Sequence, residues 1–242
     1  RLKDQQEKLI INERHEAWGS LARKLAHEIK NPLTPIQLTI DRLKNKYSSD
    51  LNEKNNKSFR ENLKVINNQI KQIEKLVNEF SDFARMPKPI FQKNDLVILI
   101  KDSIVLLQEL DQTIKINFIC NNQQLLFDGD KEQLSRVFLN LIKNSIESIQ
   151  QKAEKVDDFG KNITIELEEF DGHISLIIND NGIGFKNLNI NIKEILNPYF
   201  TTKKEGTGLG LSIVNKIVSD HNGNIEFKSK ADGATIKIIF LK

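Results

Sequence analysis

Apolar residues recur along 59–84 at alternating steps of four and three: Phe59, Leu63, Ile66, Ile70, Ile73, Val77, Phe80 and Ala84. That spacing predicts the a/d seam of a long helix. Upstream, Trp18, Leu21, Ala22, Leu25, Ile29, Leu33, Ile36, Ile40 and Leu43 make a comparable stripe. The intervening YSSDLNEK (47–54) is polar and turn-like, so this part of the chain reads as a long helical hairpin. Two helices with continuous apolar faces bury them poorly alone, which predicts a four-helix bundle formed by dimerisation. A two-helix coiled coil with no chemistry fits the same pattern.

At ARMPKPIF (84–91) the pattern changes, because Pro87 and Pro89 cannot continue the helix. The predicted boundary therefore separates 1–88 from 89–242. Beyond it a helical run at 95–110 precedes alternating strands at Ile114–Cys120 and near Leu125–Phe127. A long amphipathic helix at about 131–152 leads to strands Ile163–Leu167 and Ile174–Ile178, then an irregular Asn-rich stretch at 186–198. A helix from about 207 to 220 and strands at 224–229 and 235–241, joined by ADG, complete the chain. Helices mixed with antiparallel-looking strands predict an α+β sandwich with the helices on one face.

A length of 242 residues favours two domains, and 38% hydrophobic with 29% charged residues describes a foldable chain. A net charge of +3, with both signs interspersed, offers no basic stripe for nucleic acid. The single cysteine, Cys120, excludes an intrachain disulfide and is expected to be a buried core thiol. Leu96–Ile100 is the longest apolar run, far below the ~20 residues of a membrane helix. The start at Arg1, without Met, predicts a fragment whose upstream anchor lies outside it.

On the first helix His27 falls about 170° from the apolar stripe, so it is expected to point outward. Glu28 adjoins it, and Asn31 and Thr34 share the exposed face. A neutral imidazole is a nucleophile at neutral pH, and a neighbouring carboxylate can accept its ring proton. A solvated His–Glu surface pair explains the same residues. Pro32 and Pro35 interrupt this helix at about 3 kcal/mol each or more, and predict a kink just after His27. A zinc reading fails, since the required second His is replaced by Asn31.

Within 131–152, Leu134, Val137, Phe138, Leu141, Ser145 and Ile149 are the expected core face, beside a polar stripe of Asn140, Asn144 and Glu147. Carboxamide oxygens suit Mg²⁺, and carboxamide N–H groups suit phosphate; a solvated helix flank fits equally well. DNGIGF (180–185) reads as a tight turn, but Gly182 and Gly184 also permit close approach to a flat ring, with Asp180 able to accept from an adenine amine. GTGLGLS (206–212) places Gly206, Gly208, Leu209 and Gly210 at a helix N-terminus suited to phosphate. It matches neither a Walker loop nor a dinucleotide fingerprint.

In this order AHEIKNPLTP (26–35), NLIKNSIES (140–148), DNGIGF, PYFTTK (198–203) and GTGLGLS resemble the H, N, G1, F and G2 boxes of sensor histidine kinases. The resemblance covers roughly 15–242, and 26–47 further resembles NtrY-type nitrogen-regulation sensors. It implies a dimerisation and histidine-phosphotransfer domain at 1–88, led by a signalling helix at 1–17, and a Bergerat-fold (GHKL) ATP-binding domain at 89–242. By the same resemblance His27 is the phosphoacceptor, Asn144 the Mg²⁺ ligand and Asp180 the adenine partner. Residues 186–206 become an ATP lid, with Thr202 and Lys203 as phosphate contacts. The implied partners are a second copy of the chain and a response-regulator receiver domain, with Glu28 serving forward transfer and Asn31 dephosphorylation. The implied setting is the cytoplasmic portion of a bacterial sensor anchored in the inner membrane, with no membrane contact inside the fragment. A Bergerat-fold ATPase is the competing class, but Asn140 stands where such enzymes carry the Glu that activates water. A nucleotide-binding scaffold without chemistry is the third. His15, His173 and His221 match no box and are read as surface or structural residues.

Overall fold

The computed structural model describes residues 25–26, 28–47, 53–84, 86–156, 159–185, 192–203, 206–230 and 232–242. The chain divides into two compact units, Arg1–Pro87 and Lys88–Lys242.

In the first unit, α1 is helical over 28–47 and α2 spans Glu53–Ala84. Helical structure continues through Pro32 and Pro35, and the Thr39 hydroxyl donates to the Pro35 carbonyl at 2.8 Å. Each apolar stripe splits in two. Leu33, Ile40, Leu63 and Ile70 bury one another, with Phe59 packed against them. The alternate positions stay open: Ile36, Ile66 and Ile73 are 44–45% exposed.

The second unit is built on a five-stranded sheet in the order β2-β4-β5-β7-β6. Its strands are β2 (Lys115–Cys120), β4 (Asn162–Phe170), β5 (His173–Asp180), β6 (Gly223–Ser229) and β7 (Ala234–Leu241). A two-stranded ribbon pairs β1 (Gln92–Asp95) with β3 (Leu126–Gly129). The remaining helices are α3 (Leu96–Gln108), α4 (Lys131–Ala153) and α5 (Gly210–Asp220). The sheet is not wholly antiparallel as expected, for β2 and β4 run parallel. The connection between them carries β3 and α4, long enough for the crossover that parallel pairing needs.

Period-2 alternation puts Ile163, Ile165, Leu167, Ile174, Leu176, Ile178, Ile236, Ile238 and Phe240 in the core. Against them α4 buries Leu134, Val137, Phe138, Leu141, Ser145 and Ile149, as expected, and it packs on β5 between α3 and α5. Cys120 is only half-buried rather than a core thiol, and its Sγ donates to the Asn122 carbonyl at 3.4 Å.

The start of α4 is tied from several directions. Asp130 caps it by accepting from the Gln133 N–H at 3.0 Å, and its other oxygen takes the Ile90 N–H at 2.9 Å. The Asp130 N–H donates to Nε2 of His221, while Nδ1 of that ring faces the Ile217 carbonyl at 2.8 Å. With Nε2 accepting, Nδ1 is left to donate to that carbonyl, so His221 is a buried structural histidine joining the two helix ends. Burial pushes the Asp130 carboxyl up, but the N–H groups of Gln133, Ile90 and Glu132 outweigh it and hold it below the usual range. Asp130→Ala should destabilise this unit by about 1 kcal/mol at pH 7 in urea unfolding. The difference should vanish in acid, as pH falls through the lowered value, because only the ionised carboxylate carries that gain.

Candidate functional site

With its apolar stripe buried, α4 turns Asn140, Asn144 and Glu147 toward the edge of the core, half-buried. Asn140 Nδ2 donates to the Arg136 carbonyl at 3.0 Å, which leaves Oδ1 facing α5: a Cβ on Gly210 would lie 3.5 Å from it. One turn on, Lys203 Nζ donates to Asn144 Oδ1 at 2.9 Å and pairs with the Glu147 carboxylate. The next turn holds Asp180, with Ser145 and Ser148 donating to its two carboxylate oxygens at 3.4 and 3.5 Å. Residues far apart in sequence thus meet along one face of a single helix.

Asp180 closes β5, the central strand, and is 6% exposed. The Gly182 N–H donates to its Oδ1 at 2.9 Å. Burial pushes the carboxyl up, and the hydrogen bonds from Gly182, Ser145, Ala234 and Ser148 only partly offset it. The tight-turn reading of DNGIGF as a hairpin fails, because β5 pairs with β4 and β7. The glycines serve close contacts within the protein. A Cβ on Gly182 would stand 2.2 Å from Ser148 Oγ, and one on Gly184, at φ +64, 2.4 Å from the Gly233 carbonyl oxygen.

PYFTTK and GTGLGLS brace each other. Gly208, at φ +71, has room for no side chain, since a Cβ would lie 2.4 Å from the Tyr199 carbonyl carbon. The Tyr199 N–H donates to the Gly208 carbonyl at 3.1 Å. That positive φ also delays α5 to Gly210, three residues later than expected. Its N-cap, Leu209, supplies no side-chain hydrogen bond to the first turn. Gly206 lies against Thr201, and Thr202 is exposed. Residues 186–191 of the expected lid and 204–205 lie outside the described residues, as does His27. Glu28, Asn31 and Thr34 are exposed on α1.

The sequence pattern puts Ser145 in the core and gives Ser148 and Glu147 no site role. Their spacing on α4, at one, four and three residues from Asn144, was the available signal. A separate cleft of about 460 Å³ near the end of α5, lined by Phe91, Phe127, His221 and Leu241, contains none of the motif residues.

Two family profiles match the chain. Residues 17–89 match the His Kinase A (phospho-acceptor) domain, and residues 129–242 the histidine kinase-, DNA gyrase B- and HSP90-like ATPases. The chain belongs to the sensor histidine kinases. Within them it is of NtrY type. An NtrY-like sensor histidine kinase of Rickettsia prowazekii is 41% identical over 99% of this chain, and the match covers 38% of that relative. The nitrogen regulation protein NtrY of Azorhizobium caulinodans is 34% identical over 93% of the chain and 28% of its own length. This kinase chain therefore spans well under half of the curated relatives it matches. The catalytic domain of histidine kinase ThkA superposes on 63% of it with TM-score 0.55 and 28% identity, covering 96% of that domain. A structure of ThkA with the response regulator protein TrrA covers 99% of the chain and 66% of that chain at TM-score 0.66 and 24% identity, a likeness of fold.

The Asp180 carboxyl gives this kinase domain a pH signature. Because its folded value is raised, stability should fall as pH climbs from the unfolded value of about 3.9 through the raised one. Asp180→Asn keeps the shape and removes the ionisation. Its melting temperature should equal or exceed the parent's at pH 7 and match it at pH 4; a lower value at pH 7 would mean that the carboxylate itself holds the fold.

Proposed function

We propose that this chain binds ATP with Mg²⁺, phosphorylates His27, and passes the phosphoryl group to an Asp of a response-regulator receiver domain. The observation that carries this reading is the convergence of Asp180, Lys203 and the first turn of α5 on one face of α4. In the assignment, Asp180 receives the adenine amine, with Gly182 and Gly184 shaping the turn behind it. Asn140, Thr202, Lys203, Gly206, Gly208, Leu209 and Gly210 surround the phosphates. Asn144 holds the metal. Its Oδ1 and the Glu147 carboxylate already converge on a cation, the Lys203 ammonium, so the donor set suits a hard ion. Mg²⁺ held there would supply charge neutralisation to the nucleotide phosphates.

For transfer, a ring nitrogen of neutral His27 attacks the γ-phosphorus. The N–P bond forms as the bond to the β,γ-bridging oxygen breaks, and ADP leaves with that electron pair. Glu28 accepts the proton from the other ring nitrogen. Hydrolysis is disfavoured, since Asn140 is not a base and its amide is bonded to the Arg136 carbonyl. Asn31, exposed one turn beyond His27, is assigned to orient water when the regulator is dephosphorylated.

The phosphotransfer part is assigned to 1–88 and the ATP-binding part to 89–242. Ile36, Ile66 and Ile73, apolar and open on one chain, support a dimer that buries them in a four-helix bundle. No helix among the described residues is long and apolar enough to cross a membrane. The proposed setting is the cytoplasmic part of an inner-membrane sensor whose anchor precedes this chain.

With γ-labelled ATP the parent protein should acquire an acid-labile, base-stable label. His27→Gln should lose it while nucleotide affinity holds within about twofold, because the acceptor is not part of the pocket. Label retained in His27→Gln would move the phosphoacceptor elsewhere. Ile66→Glu with Ile73→Glu should turn a dimer into a monomer in sedimentation equilibrium, with helicity largely kept. An unchanged dimer would place the interface on another surface.

A further inference from the structure

Lys203 lies in the segment leading to α5, yet its ammonium is held on α4. Nζ donates to Asn144 Oδ1 at 2.9 Å and pairs with Glu147, which Lys143 also approaches at 4.0 Å. Both acceptors are oxygens, one turn apart, meeting at a single positive charge. An amide oxygen and a carboxylate are also the donors Mg²⁺ prefers, at about 2.0–2.1 Å. Two cations on one amide oxygen would stand about 4 Å apart and repel each other. The ammonium and the metal therefore compete for Asn144.

We propose that Lys203 is a tethered cation that alternates with Mg²⁺ at Asn144 Oδ1, and that Glu147 sets the exchange by holding the ammonium. The inference rests on the assignment of Asn144 as the metal ligand. When metal enters with the nucleotide, Lys203 gives up Asn144 and its charge becomes available to the phosphates. When metal leaves, the ammonium returns and keeps Asn144 Oδ1 and Glu147 neutralised. The pair is 28% and 33% exposed, so water screens it and the exchange is shallow, as a reversible substitution requires.

The test uses the full chain and a fluorescent ADP analogue, which lacks the γ-phosphate that a freed lysine could contact. The reading is the Mg²⁺ concentration giving half-maximal ADP binding at fixed nucleotide. Lys203→Met should lower that midpoint by about two- to fivefold, the range of a partly exposed ion pair. Glu147→Gln should raise the midpoint more in the Lys203→Met background than in the parent, where losing the carboxylate also releases the competing ammonium. A midpoint unchanged or raised by Lys203→Met overturns the exchange. Asn144→Ala separates the two levels of the argument. If it keeps the parent midpoint, the metal assignment itself is wrong. If it abolishes the Mg²⁺ dependence while Lys203→Met changes nothing, only the exchange is wrong.

Discussion

The site depends on burial of one stripe of α4. Leu134, Val137, Phe138, Leu141, Ile142, Ile146 and Ile149 are each at most 2% exposed. Removing a side chain of that size from water contributes about 1.5–3 kcal/mol, so the rotation of the helix about its axis is strongly determined. At 100° per residue, that rotation leaves Asn140, Asn144 and Glu147 at the edge of the buried arc. It also turns Ser145 and Ser148 toward the end of β5, where Asp180 waits. The polar face has no freedom of its own. It goes where the apolar face sends it.

Glycine and asparagine chemistry then closes the distances. Gly182 brings the turn after β5 onto Ser148, Gly184 brings it onto Gly233, and Gly208 seats the segment before α5 on Tyr199. These contacts leave no space for a Cβ, so the motif glycines are required by the fold before any ligand is considered. The hairpin shows a complementary economy. Every seventh residue (33 and 40 on α1, with 26 just before it; 63, 70 and 77 on α2) is buried within one chain, while Ile36, Ile66 and Ile73 between them face outward. A lone chain leaves half of its seam wet.

The elements were legible wherever a period was strong. The spacings of 3.5 in α1 and α2, 3.6 in α4, and 2 in β4, β5 and β7 each appear as helix or strand close to the expected bounds. What escaped had no local signature. QKND, which forms β1, is polar throughout and is a strand only because β3 pairs with it. The parallel pairing of β2 with β4 depends on a crossover of about forty residues that periodicity does not encode. His221 matches no motif and reads equally as a surface or a structural residue; only the fold shows that it is 1% exposed and connects α5 to the cap of α4. Asn144, Asp180 and the glycine segments could be picked out by composition and order. Lys203 on Asn144 and Glu147 is a tertiary contact spanning about sixty residues, and no window of sequence contains it.

The central claim is that nucleotide binds along the exposed flank of α4. It is tested most directly by two-dimensional NMR of the isotope-labelled chain during titration with Mg²⁺ and a non-hydrolysable ATP analogue. The account predicts that the largest saturable shifts gather at Asn140, Asn144, Ser148, Asp180, Gly182 and Gly210. Shifts concentrated instead at Phe91, Phe127, His221 and Leu241, around the cleft near the end of α5, would contradict it.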